Sequence, residues 1–276
     1  MKLTRSIRAA LLLLACLAGL SIPAHGRQVS VEPTSLELTA TPGSRERAMF
    51  TVKNDNATDA IELTIGLADW TIDADGQLQL IPPGDGPDSI VDWVRFSPAY
   101  IALAPGEARG VLVDIDIPAT VDPAASYRTA LVASAITPVN TSDGRAVLQK
   151  IEETSLIYLT GSVAESLAVI DGIRPVTMQD GSGAIRLDVS NGGTAHARLQ
   201  GSIAIETNGQ RISLPLASLI VLPDSRRSFL VPLSQTISAN AMVEASLTNI
   251  HAPQRESARA DLVRYSAPLG AAAPPR

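Results

Sequence analysis

Ile61, Leu63, Ile65 and Leu67 alternate with polar or small residues, and Val111, Val113, Ile115 and Ile117 repeat the pattern. A period of two places every second side chain on one face of an extended chain, so each run is a half-buried strand. The runs are short, and turn-forming residues punctuate them: Thr41-Pro42-Gly43-Ser44, Asn54-Asp55-Asn56, Asp73-Ala74-Asp75-Gly76 and Ala104-Pro105-Gly106. Further strands are expected over Val29–Leu38, Met49–Val52, Leu78–Leu80, Ile101–Leu103, Tyr127–Ala135 and Val147–Leu159, with Ile136–Ala146 as the loop between the last two. No stretch of about 12 residues combines helical periodicity with cap signals. Evenly spaced short strands point to an all-β chain built as sandwiches.

A second set of strands begins near Leu167 and runs to about Tyr265, beyond a small, polar junction at Thr160–Glu165. The two sets repeat one another. Val52-Lys53-Asn54 with its Asn turn recurs as Val189-Ser190-Asn191, and Leu103-Ala104-Pro105 before Val111-Leu112-Val113 recurs as Leu222-Pro223 before Phe229-Leu230-Val231. The same motifs in the same order fit two tandem immunoglobulin-like sandwiches. The boundaries expected are 27–160 and 161–265, with Ser266–Arg276 as a disordered tail that has too little to bury.

The first 26 residues have the make-up of an export signal: Lys2, Arg5 and Arg8, an apolar run Ala9–Leu20, then small residues at Ala24 and Gly26. That run is shorter than the ~20 residues a bilayer needs. Cleavage is expected after Ala24 or Gly26. Leu13-Leu14-Ala15-Cys16 offers the alternative of a lipoprotein, acylated at the chain's one cysteine. Three of the 22 basic residues lie in this segment, so the remainder carries 19 against 28 acidic residues, a net of −9. Such a chain lacks the clustered cations that nucleic acid requires, and without disulfides its cores must hold it together.

Catalytic patterns are missing from the sequence. There is no nucleophile elbow and no His-x-x-x-His pair, and His196 and His251 stand apart from any local triad. Asp73-Ala74-Asp75-Gly76 lacks the later ligands of a calcium loop and fits a hairpin turn. Trp70, Trp93 and Tyr127 are scattered, as core anchors are. No enzyme activity, cofactor or small-molecule substrate is expected.

In the first half, Val31-Glu32-Pro33-Thr34-Ser35-Leu36-Glu37-Leu38, Val52-Lys53-Asn54, Asp69-Trp70, Leu103-Ala104-Pro105-Gly106-Glu107 and Ser126-Tyr127-Arg128 resemble the periplasmic chaperones of the chaperone–usher pilus pathway. In the second half, the segments beginning at Val189 and Leu222 resemble them too, so the likeness covers about 29–235 in the family's order. The resemblance implies that the chain holds pilus or other secreted β-rich subunits by lending its seventh strand, with an outer-membrane usher as a further partner. It also implies two basic residues, on the first and seventh strands, that clamp the subunit's terminal carboxylate. Here Ser35 stands at the first of these positions and Ser155 or Ile157 at the second, and none is a cation. The candidate partner-binding residues are Ser35, Val147, Gln149, Lys150, Ile151, Glu153, Ser155 and Ile157. Lys150 is either a substitute clamp or one partner of a solvated cross-strand ion pair. A periplasmic chaperone-like role is expected; the alternative is a chaperone-derived structural or adhesive envelope component, anchored through Cys16.

Overall fold

The computed structural model describes residues 28–140, 145–234, 237, 241–250 and 262–269. The expectations for the export segment, Cys16 and His251 fall outside these residues. The first ten strands are β1 (Val29–Glu32), β2 (Ser35–Ala40), β3 (Arg45–Asn54), β4 (Ile61–Ile72), β5 (Leu78–Ile81), β6 (Val94–Ser97), β7 (Tyr100–Leu103), β8 (Ala108–Asp116), β9 (Ser126–Asn140) and β10 (Ala146–Gly161). They form two sheets, β1-β3-β8-β6 and β2-β10-β9-β4-β5, with β7 paired to β4. The inner faces enclose one core that includes Phe50, Leu63, Ile101, Ile115, Leu131 and Ile157. At Pro33-Thr34 the chain leaves β3 and crosses to the other sheet, where β2 pairs in parallel with β10. That crossing explains why the apolar phase shifts between Val31 and Leu36.

The second sandwich contains β11 (Ala168–Thr177), β12 (Gly183–Asn191), β13 (Ala197–Thr207), β14 (Gln210–Val221), β15 (Ser225–Pro232), β16 (Met242–Asn249) and β17 (Leu262–Pro268). Its sheets are β11-β12-β15 and β14-β13-β16-β17, around a separate core that includes Ile173, Ile185, Leu199 and Leu247. Both strand orders are those of an immunoglobulin-like sandwich. The one helical element among the described residues is a single 3-10 turn at Val91–Trp93.

The two repeated motifs turn out to be bonded to each other. Asn54 is fully buried; its amide donates to the carbonyls of Asp59, Leu103 and Ala104, and its oxygen accepts from the Asn56 N–H at 3.0 Å. Asn191 does the same in the second sandwich, donating to Ala195 O and Val221 O and accepting from Leu167 N–H and Gly193 N–H. Each Asn ties a strand end to its own turn and to the Leu-Pro turn of a neighbouring strand. The repetition is therefore one hydrogen-bond device used twice.

Two expectations are corrected. Ile136–Asn140 and Ala146 belong to β9 and β10, so the hairpin is longer and its loop shorter than the turn-forming residues there implied. Likewise β17 runs past Tyr265 to Pro268, and Ala267 and Leu269 pack on the second core, so Ser266–Pro268 are strand and not disordered tail. Asp73 does form a hairpin turn, its carboxylate accepting the Asp75 and Gln77 N–H groups. Two of the three aromatics are core anchors: Trp93 and Tyr127 lie against the first core with ring centres 5.1 Å apart, whereas Trp70 is buried outside that core.

A third apolar cluster joins the sandwiches. Trp70, Ala130, Val132 and Tyr158, on the outer face of the β10-β9-β4 sheet, meet Leu222 and the half-buried Ile220. The β4–β5 turn adds a backbone bond from Ser228 N–H to Ala74 O at 3.0 Å. Gly161 closes β10 at this junction, and a Cβ there would collide with the Pro123 and Ala125 carbonyl oxygens, which are backbone and cannot swing away. We therefore expect Gly161→Ala to lower the unfolding free energy by about 2–3 kcal/mol in a urea titration. A change near zero would mean that the junction is soft.

Candidate functional site: the open edge of the β9–β10 ribbon

β9 and β10 pair with each other over fifteen residues, Ser126–Asn140 against Ala146–Thr160. Their other neighbours are shorter. β4 reaches β9 only over Ala130–Ser134, and β2 reaches β10 only over Leu156–Gly161. Past those limits the hairpin continues as a two-stranded ribbon, and among the described residues no strand pairs with the outer edge of β10 from Ala146 to Ser155.

The direction of the backbone groups follows from two bonds. Leu156 N–H donates away from β9 to Thr34 O (3.1 Å), and Arg128 N–H donates away from β10 to Asp88 O (2.9 Å). Along a strand, successive residues point their backbone groups to opposite sides. The outward groups therefore belong to the even-numbered residues on both strands: Leu148, Lys150, Glu152 and Thr154 on β10, and Ile136 and Pro138 on β9. Pro138 has no N–H, so the β9 edge is interrupted where the ribbon is free. The β10 edge carries no proline, and it is the one edge of the ribbon able to pair continuously with another chain.

Side chains divide by parity as well. Ile157 and Leu159 face the first core, and continuing along that face come Ser155, Glu153, Ile151, Gln149 and Val147. The opposite face carries Tyr158, Leu156, Thr154, Glu152, Lys150 and Leu148. Leu148 is 76% exposed and Ile136 68%, and the two lie diagonally across the hairpin on this outer face. With Val147 at 46%, they leave an apolar tip that a soluble surface does not ordinarily keep.

Of the eight candidate residues, Val147, Gln149, Lys150, Ile151 and Glu153 lie along the open stretch. Ser35 begins β2, directly beside Leu156, and so marks where the opening ends. Ser155 and Ile157 do not reach the surface. The Ser155 hydroxyl is buried and donates to Pro33 O, and Ile157 is covered by β2 and packed in the core. The usable edge therefore stops at about Thr154. Lys150 forms an exposed ion pair with Glu152 at 2.8 Å, two residues along the same strand and not across strands. Leu148 and Ile136 are not among the candidates: the first shares its face with Lys150 alone of them, and the turn-forming composition at Thr137-Pro138 made the second read as loop.

At its base β10 is held by charge as well as packing. Arg198 Nη2 donates to Glu37 Oε1 at 2.6 Å, and His196 Nε2 lies 3.2 Å from Glu37 Oε2. His196 stacks on Tyr158 with ring centres 4.4 Å apart, and the Arg198 guanidinium lies 5.7 Å over the same ring. Burial pushes the Tyr158 phenol well above its ordinary value, so it stays neutral. Arg198 is aimed by a bulge: Ser218, at φ 53°, takes a second hydrogen bond from its guanidinium at 3.0 Å. Glu37 is on β2 and Tyr158 on β10, so this cluster fixes the second sandwich against the strands that frame the open edge.

No family model and no curated protein matches this chain. Solved structures do match, and chaperones are among those it is similar to. The YadV chaperone shares 10% identity over 88% of this chain and all of that one, with a TM-score of 0.46. The class 5 fimbriae chaperone CfaA shares 12% over 86% and 98%, at 0.44. The chaperone–tip adhesion subunit complex of the archaic Csu pili of Acinetobacter baumannii shares 13% over 85% and 96%, at 0.43. At TM-scores below 0.5 these likenesses decide neither fold nor function; the sheets and the edge above do not depend on them.

Proposed function

We propose that this protein is a periplasmic chaperone-like factor that binds and stabilises pilus or other secreted β-rich subunits by adding a strand along the open edge of β10. The observation that carries the reading is that edge: outward backbone groups at Leu148, Lys150, Glu152 and Thr154, unpaired by any strand among the described residues, beside an exposed apolar tip. A subunit that lacks a strand has the complementary defect, and joining the two satisfies both sets of backbone groups. The motif order shared with the pilus chaperones gives the partner class. The grip differs from that family's, because Ser35 and the buried Ser155 leave the inner end of the edge without a cation. Affinity here comes from backbone pairing and from Val147 and Ile151, with no carboxylate clamp. The same neutral junction favours a second reading, a structural or adhesive envelope component derived from such a chaperone. An acylated Cys16 at the mature N-terminus, detected by mass spectrometry, would select it.

Co-expression with candidate secreted β-rich subunits, followed by pull-down, tests the capture. A retained subunit is expected, and retention of none across the candidates would sink the proposal. Ile151 is half-buried and outside the apolar cores. Ile151→Asp should therefore leave the unfolding midpoint nearly unchanged while weakening capture roughly 10- to 100-fold, the value of one buried aliphatic side chain.

A further inference from the structure

We propose that the outer face of the β11-β12-β15 sheet is a binding site for phosphate groups, with Arg174 and Arg186 taking one phosphate between their guanidiniums. The site belongs to the second sandwich and involves neither the open edge of β10 nor subunit capture. Parity places its residues. Ile173 on β11, Ile185, Leu187 and Val189 on β12, and Phe229 and Val231 on β15 all pack on the second core. Their neighbours Arg174, Arg186, Asp188, Ser190, Arg226 and Ser228 therefore face outward.

Arg174 stands directly opposite Arg186 in the ladder, so two like charges start from Cβ atoms about 5 Å apart, an arrangement that weakens a sheet unless an anion joins them. Asp188 meets part of that need. Arg174 Nη2 lies 3.2 Å from its Oδ2, and Arg186 Nε donates to its Oδ1 at 2.9 Å. Ser228 Oγ donates to the same oxygen at 2.6 Å and accepts from Arg186 Nη2 at 2.6 Å. A β-bulge at Asp171 repeats the scheme at the far end of the face, where Asp171 accepts from Ser190 Oγ at 3.1 Å and pairs with Arg226 Nε at 3.0 Å.

Three guanidiniums against two carboxylates leave the face one positive charge in excess, in a chain whose formal net charge is −6. Depth decides what a ligand meets. The Asp188 and Asp171 side chains are 15% and 19% exposed, those of Arg174 and Arg226 52% and 69%. The anions are sunk and the cations stand above them. Among the described residues Arg174 and Arg226 each have that one ion-pair contact, so most donors of each fork stay open. Guanidinium forks match phosphate geometry, and three terminal oxygens let one phosphate accept from both arginines. A carboxylate's two oxygens are what Asp188 already supplies. Leu230, 52% exposed and opposite Arg186, adds an apolar contact beside the charges, which suits a phospholipid headgroup as well as a soluble phosphate ester.

The full chain, isotope-labelled, is titrated with inorganic phosphate at low ionic strength while the Nε–H signals of Arg174 and Arg186 are followed by NMR, with chloride at matched ionic strength as the control. Saturable shifts with phosphate and not with chloride are expected. Arg174→Gln and Arg186→Gln should each raise the dissociation constant roughly tenfold, the value of a charge-assisted hydrogen bond. Arg174→Lys, which keeps the charge but loses the fork, should fall between parent and Gln. Arg45→Gln removes a comparably exposed, ion-paired arginine from the first sandwich and should change nothing. Arg186 also holds Asp188 and Ser228, so if Arg186→Gln fails to fold, Arg174→Gln decides. Co-sedimentation with phosphatidylglycerol vesicles, against phosphatidylcholine, identifies the source. Binding to the anionic vesicles that free phosphate reverses assigns a headgroup, and saturable phosphate shifts without vesicle binding assign a soluble ester; either supports the site. Shifts that chloride reproduces, an Arg174→Gln chain that binds as the parent does, or an equal loss with Arg45→Gln overturn it. No subunit takes part, so these outcomes are independent of whether capture succeeds.

Discussion

Asn54→Ala is expected to lower the stability of the first sandwich by roughly 3–4 kcal/mol, seen as a fall of the order of 10–15 °C in melting temperature. The side chain is fully buried and satisfies four backbone groups at once: the carbonyls of Asp59, Leu103 and Ala104, and the Asn56 N–H. Alanine removes every one of these bonds without adding a replacement, and a buried polar group left unmade costs about 1–3 kcal/mol. The sum is discounted because the Asp59 and Ala104 contacts are only partly buried and water can reach them. Asn54→Asp makes the test sharper. It keeps an acceptor for Asn56 but turns a carboxylate oxygen toward three carbonyl oxygens, so it should be no better than alanine. The equivalent Asn191→Ala should cost about as much, because Asn191 also joins a turn to a neighbouring strand end, through Ala195 and Val221. A loss below about 1 kcal/mol for Asn54→Ala would show that the turns close without it.

How much of this was legible in the sequence depends on how local each signal is. The Asn and Leu-Pro repeats were visible because both sit in short turn segments, and residues such as Gly43 and Gly106, at φ 74° and 73°, mark such turns by type. The strands were visible because alternation is a property of neighbours along the chain. The length of the β9–β10 ribbon was not: Thr137-Pro138 next to Asn140 has turn composition, and only pairing with Leu148 and Gln149 across the hairpin makes it strand. β17 was cut short for the same reason, since Ser266–Pro268 is extended through its partner Met242–Glu244. In the candidate site, parity along β10 correctly separated its two faces. It could not reveal that β2 covers Ser155 and Ile157, which depends on where Ser35 lands 120 residues away in the chain. The link between Glu37, His196 and Arg198 is more distant still. No sequence pattern announced it.

That link carries the second large effect. Glu37→Ala is expected to cost about 2–3 kcal/mol and to let the two sandwiches move independently. Glu37 accepts from Arg198, whose side chain is 12% exposed, and faces His196, which is 5% exposed. Without the carboxylate, the guanidinium stays in a site walled by Tyr158, still donating to the Ser218 hydroxyl. An ion left buried after its partner is removed is worse placed than when both are gone. The double variant Glu37→Met with Arg198→Met should therefore recover most of the loss, and the difference between single and double variants measures the coupling. Nitrogen-15 relaxation supplies the mechanical readout: one tumbling time for the parent chain, and two, faster ones for Glu37→Ala. If both sandwiches still tumble as one body, Trp70, Tyr158 and Leu222 suffice to hold them and the charges are incidental. If they separate, β2 and β10 lose the support beneath the open edge, and capture of a partner strand should weaken although no residue along that edge has changed.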